Sequence, residues 1–200
     1  MARIANLLLA LPVLCIMGMA KAGTITELPS HNGDSIFIET SCKSTRYRTV
    51  CVQSLLPYAY KIQRSPLQMA LEALSVSLSR TKSADSFVSN LVKHKDLKPR
   101  EQQPIDDCLK LMGDSIDRLS KSVQELRGIS GANDRDFLWH ISNVQTWVSA
   151  ALTDDDTCLD GLAALDGEVK DSIRTRVSNV AEVTSNALAL VNQLAKTHLE

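Results

Sequence analysis

Four of its five cysteines constrain this 200-residue chain more than any other feature. Cys42 and Cys51 stand nine positions apart, Cys108 and Cys158 fifty apart. Even cysteine counts in a secreted chain read as disulfides, and four cysteines admit three pairings. None belongs to a C-x-x-C pair or has a histidine companion nearby, so metal ligation is disfavoured. If Cys42 pairs with Cys51, one unbroken helix cannot hold both. It would separate them by about 13 Å along its axis, whereas a disulfide needs Cα atoms within about 7 Å. The chain would then reverse near Lys43–Thr45, giving a helical hairpin. Closing the fifty-residue loop between Cys108 and Cys158 would stabilise a fold by about 4 kcal/mol in the chain-entropy model.

The compartment follows from the first 22 residues. Arg3 is a short basic start, Ile4 to Met19 is apolar apart from Asn6, and Ala20-Lys21-Ala22 offers small residues for cleavage. Residues 1–22 are therefore expected to be a secretory signal peptide. The run is short for a membrane span and is broken by Pro12 and Gly18. Cys15 would leave with it. Loss of Arg3 and Lys21 takes Lys+Arg from 22 to 20 against 23 acids, a net charge near −3. Such mild acidity argues against nucleic acid as a partner. No second apolar stretch could span a membrane, and Asn-x-Ser/Thr is absent.

The mature residues are expected to form an all-α fold. Leu109, Met112, Ile116, Leu119, Val123 and Leu126 recur at steps of three and four, one narrow apolar seam. Leu67, Leu71, Leu74 and Leu78 start another behind Pro66, which suits a first-turn position. Phe137, Ile141, Val144, Val148 and Ala151 draw a third, with Asn133 and Asp134 as candidate caps. Ile173, Val177, Val180, Ala187, Val191 and Leu194 draw a fourth. Joints near Pro99 and Gly128–Gly131 make neighbours antiparallel, hence an up-down-up-down four-helix bundle over 66–200. Residues 23–65 form the hairpin extension, and 23–200 make a single domain. In an antiparallel bundle Cys108 and Cys158 come level, so a bridge between them is sterically reasonable.

Catalytic patterns are missing. None of the four histidines lies in H-E-x-x-H, no serine lies in G-x-S-x-G, and no glycine-rich phosphate loop occurs. His140 reads as a half-buried helix histidine. Asp154-Asp155-Asp156 fails as a calcium loop, because Cys158 and Leu159 occupy positions that need an oxygen ligand and a glycine. The run is expected in a break or capped turn with exposed carboxylates.

Cys42-Lys-Ser-Thr45-Arg-Tyr47-Arg-Thr-Val-Cys51, Asp107-Cys108-Leu-Lys-Leu-Met-Gly-Asp114-Ser-Ile-Asp117 and Val144-Gln-Thr-Trp147 through Thr157-Cys158-Leu-Asp160-Gly161 resemble three motifs of plant invertase and pectin methylesterase inhibitors. Ser185-Asn186-Ala187 is similar to the family's last helix. The resemblance spans the mature chain. It implies disulfides first-to-second and third-to-fourth, and a secreted, extracellular protein of the apoplast or cell wall. Such a protein has no enzymatic activity, no cofactor and no metal, and acts as a monomer that binds one enzyme molecule and covers its cleft.

The resemblance also implies a contact surface. Carried over by position, partner-binding residues are Asp114, Asp117, Thr157 and Asp160, with Gln145 a weaker candidate. Asp114 and Asp117 share an exposed stripe with Lys110 and Lys121, and for an arbitrary helix that stripe is simply a solvated face. Lys110 stands where some members carry an acid, which departs from the pattern. Invertase inhibitors carry a Pro-Lys-Phe motif, and no proline follows Pro104 here. The expected partner is therefore pectin methylesterase, with acid invertase as the alternative. A secreted helical carrier of a small ligand is the reading from another class, and tight seams leave it little room.

Overall fold

The computed structural model describes residues 31–95, 97–129 and 134–199. The expected signal peptide, Asn133 and most of the joint after Gly128 lie outside these residues. Among them the regular elements are all helical. α1 (His31–Ser41), α2 (Arg48–Leu55) and α3 (Ala59–Ile62) form the extension, and α4 (Pro66–His94), α5 (Pro99–Gly128), α6 (Asp134–Gly161) and α7 (Glu168–Leu199) form the bundle.

The chain reverses between Cys42 and Cys51, as their pairing requires. A single 3-10 turn, Cys42–Ser44, ends α1. Thr45 closes it, its hydroxyl donating to the Cys42 carbonyl at 2.8 Å. Cys42 and Cys51 are bonded, with Cα atoms 5.8 Å apart. The turn is then tied to the bundle by one side chain: Asn186 of α7 accepts from the Tyr47 N–H at 3.1 Å and donates to the Tyr47 carbonyl at 2.9 Å. A primary amide offers one acceptor and two donors, so it can bond a peptide unit reciprocally as a neighbouring strand would. Ser65 caps α4 by accepting from the Gln68 N–H at 3.3 Å, and Pro66 takes the first position.

The bundle helices pack in a ring, α4 beside α5, α5 beside α6, α6 beside α7 and α7 beside α4. Every apolar residue read into the α6 and α7 seams is buried. In α5, Met112, Leu119, Val123 and Leu126 are buried while Leu109 and Ile116 are partly so. α4 is rotated from its leucine pattern. Leu74 and Met69 are buried, but Leu67, Leu71 and Leu78 sit at the edge, and most other inward positions are small: Ala70, Ala73, Ser77, Thr81 and Ala84. Small side chains there let α4 approach its neighbours closely, which a pattern of large apolar letters does not reveal.

The core divides along the bundle axis. One apolar cluster joins the hairpin to Leu74, Leu119, Val144, Val148 and Val191. The other surrounds the Cys108–Cys158 bond with Val88, Ile105, Met112, Leu162 and Val177. Between them lies a buried polar layer: Ser77 and Thr81 of α4, Ser115 of α5, Asp155 of α6 and Thr184 of α7.

Candidate functional site

The α5/α6 seam carries most of the side chains implicated from sequence. Cys108–Cys158, with Cα atoms 4.5 Å apart, Ser115–Asp155 and Arg118–Asp154 fix its antiparallel register. That register sets Asp114 level with Asp154 and about one turn from Thr157. Lys110, Asp114, Asp117 and Lys121 are exposed along α5, and Thr157 and Asp160 are exposed on α6. Asp117 and Asp160 each lie about 60° further round their helices than Asp114 and Thr157, at 100° per residue. The Thr157 hydroxyl donates to the Thr153 carbonyl at 2.7 Å, which leaves its methyl group and oxygen lone pairs to the surface.

Gln145 does not join this group. It lies about 120° round α6 from Thr157, and its amide donates to Asn192 of α7 at 2.8 Å. Any surface that uses Asp114 and Thr157 faces away from it.

Three polar anchors support the seam. The Arg118 guanidinium pairs with the Asp154 carboxylate. Burial raises the Asp154 pKa, Arg118 opposes that rise, and the nearby charge of Asp114 adds to it. Toward the far end, Glu125 accepts from Asn143 at 2.9 Å and meets the His140 ring at 2.8 Å. The Asn143 bond, followed by that of His140, holds the Glu125 carboxyl below its ordinary pKa. His140 is half-buried, as expected.

The acidic run corrects the sequence reading. Residues 154–156 lie within α6 rather than in a break, and Asp154 and Asp155 are buried at 9% and 1% exposure. Only Asp156 is exposed. The misreading came from treating three adjacent acids alike, when a helix turns each of them about 100° from the last. No cluster of three metal-ligating side chains occurs among the described residues.

Two recesses bear on the carrier reading. A void beneath the hairpin, lined by Cys51, Leu55, Ala73 and Leu190, has a volume of about 10 Å³, room for roughly one water. The α4/α7 cleft of about 750 Å³ is open to solvent and lined by charged and hydroxyl groups including Arg80, Asp171 and Arg176.

The fold is shared with solved pectin methylesterase inhibitors. The crystal structure of mutant form A of one such inhibitor from Arabidopsis superposes with a TM-score of 0.65 at 19% identity, covering 78% of this chain and 95% of that one. The sequence supplies the family. Residues 36–190 match the family model described as plant invertase/pectin methylesterase inhibitor, and the chain belongs to that family. It is 52% identical over 164 residues to the 21 kDa protein of Daucus carota, covering 81% of this chain and 85% of that protein. It is 44% identical over 194 residues to pectinesterase inhibitor 11 of Arabidopsis thaliana, covering 96% and 94%. Pectinesterase inhibitor 9 of the same plant is 49% identical over 173 residues, covering 84% and 85%. The family is one of proteinaceous inhibitors and not of enzymes.

Proposed function

We propose that the protein, after removal of residues 1–22, is a secreted inhibitor of plant pectin methylesterase. The observation that carries this reading is near full-length similarity to a protein named pectinesterase inhibitor 11, over 96% of the chain. No helix among the described residues is long and apolar enough to cross a membrane, in keeping with release to the cell wall.

The inhibitor binds one esterase molecule and lays α5 and α6 across the groove that receives the pectin chain. Exposed Asp114 and Thr157 sit at the centre of this contact, and Asp117 and Asp160 lie toward its rim. Support for the surface comes from its fastening. A disulfide, an ion pair and two further hydrogen-bonded carboxylates hold the seam in one arrangement before any partner arrives. A preorganised surface spends less of its interaction energy on ordering side chains. Gln145 belongs to a different face and has no part in the contact.

Purified mature protein titrated into a plant pectin methylesterase should abolish activity at about one equivalent. The same protein should leave acid invertase unaffected. Inhibition of invertase alone would replace this reading by the alternative within the family.

A further inference from the structure

The buried polar layer contains one carboxyl group that no surface contact can use. Asp155 is 1% exposed. The Ser115 hydroxyl donates to its Oδ1 at 3.1 Å, and its Oδ2 has no hydrogen-bond partner. The Thr184 hydroxyl lies beside it. That hydroxyl also contacts the Val180 carbonyl at 2.9 Å and the Ser77 hydroxyl at 2.8 Å. The single Thr184 hydrogen cannot serve Val180, Ser77 and Asp155 together, so Asp155 has at most a share of it. Asp155 therefore has only Ser115 as an undivided donor, while Thr184 keeps a lone pair that can take a hydrogen from it. A protonated carboxyl can donate into that lone pair, whereas a carboxylate finds one donor and needs more.

No positive charge makes up the deficit. No lysine, arginine or histidine is buried among the described residues. Arg118 of α5 is engaged with Asp154. The charges near Asp155 on its own helix, Asp154 and Asp156, have its own sign, and Asp114 of α5 stands beside Asp154. α4 and α7 present only hydroxyls to this layer: Ser77, Thr81 and Thr184.

We propose that Asp155 is a proton-operated latch: protonated, it joins α6 to α5 and α7 at mid-bundle, and ionised, it loosens that junction. Burial pushes its carboxyl up to about 7 from an ordinary 3.8, with Thr184 and Ser115 opposing and the neighbouring acids adding. The sign follows from proton counting. Between about pH 4 and pH 7 the folded chain holds more protons than the unfolded chain, so stability falls as pH rises through that window and levels off above it. The device belongs to the fold and operates whichever enzyme the protein binds. Because Thr157 lies two residues further along α6, loosening there also reaches the exposed face.

Thermal unfolding of the disulfide-intact protein from about pH 5 to pH 8.5 tests the latch. The melting temperature of the native sequence should drop by on the order of 10 °C. Asp155→Asn offers a hydrogen to Thr184 and an oxygen to Ser115 without charge, and should lose most of that drop. Groups that titrate in both proteins contribute to both curves, so their difference isolates Asp155. A native melting temperature that does not fall, or an equal fall in Asp155→Asn, overturns the proposal. Should the variant fail to fold, carboxyl-carbon NMR of the native protein decides. One aspartate titrating above about pH 6 supports the latch, and none doing so overturns it.

Discussion

The α5/α6 seam and the α4/α7 seam lie on opposite sides of one ring of helices and are fastened by different means. α5 and α6 are joined covalently by Cys108–Cys158, by the Arg118–Asp154 ion pair and by the Glu125–His140 contact. α4 and α7 meet through small side chains, the Ser77–Thr184 hydroxyl pair and Arg176 lying over Phe87 at 3.8 Å from the ring centre. Above that second seam the surface opens into the 750 Å³ cleft. Packing alone suffices to hold two helices together. The additional fastening of α5/α6 sets the relative height and rotation of its exposed side chains, which matters for a surface that must fit a partner without rearranging.

The largest effect expected from disturbing this contrast is loss of a disulfide. Cys108→Ser with Cys158→Ser should cost about 4 kcal/mol in the chain-entropy model, against about 2.5 kcal/mol for Cys42→Ser with Cys51→Ser, because the second loop is far shorter. Denaturant unfolding of both double variants measures the difference. If the hairpin pair proves the costlier, α5/α6 is not the more dependent on its bridge. A smaller effect concerns acid. The depressed Glu125 pKa contributes stability that is present above its unfolded value of 4.5 and is lost as pH falls through the folded value. Asn143→Ala removes the largest cause of the depression. It should lower stability by less than about 1 kcal/mol near pH 6, with the two proteins converging as pH falls through the folded value.

The sequence disclosed the parts of this fold that depend on large apolar residues and covalent spacing. Phe137 to Ala151 and Ile173 to Leu194 follow helical period, and both series are buried. Once Cys42 pairs with Cys51 the chain must reverse between them, and it does. Hidden from sequence were the places where small or polar residues take the inside positions. Leu67, Leu71 and Leu78 drew the eye on α4, while Ala70, Ser77 and Thr81 face inward. Asp155 was concealed by two acidic neighbours that point elsewhere. Its burial depends on Ser115 and Thr184, 40 and 29 residues away in the chain, which no local pattern brings together. The reciprocal bond of Asn186 to Tyr47 spans 139 residues and was equally invisible, although Asn186 falls in a segment that resembles the family's last helix.

For the candidate surface, sequence resemblance supplied residues and the structure separates them. Asp114 and Thr157 share one flank of α5/α6, Asp117 and Asp160 lie outward from it, and Gln145 faces α7. Position in a motif fixes a place along a helix, but only packing decides which neighbour that place confronts.

The central claim is that α5/α6, and not α4/α7, is the inhibitory face. Thr157→Trp and Thr175→Trp place the same bulk at exposed positions on these two faces. Each should retain the native helical circular dichroism and melting temperature. Titrated against pectin methylesterase, Thr157→Trp is predicted to lose inhibition and Thr175→Trp to inhibit like the native protein. Full inhibition by Thr157→Trp, with loss in Thr175→Trp, would contradict the account and move the contact to the other side of the bundle.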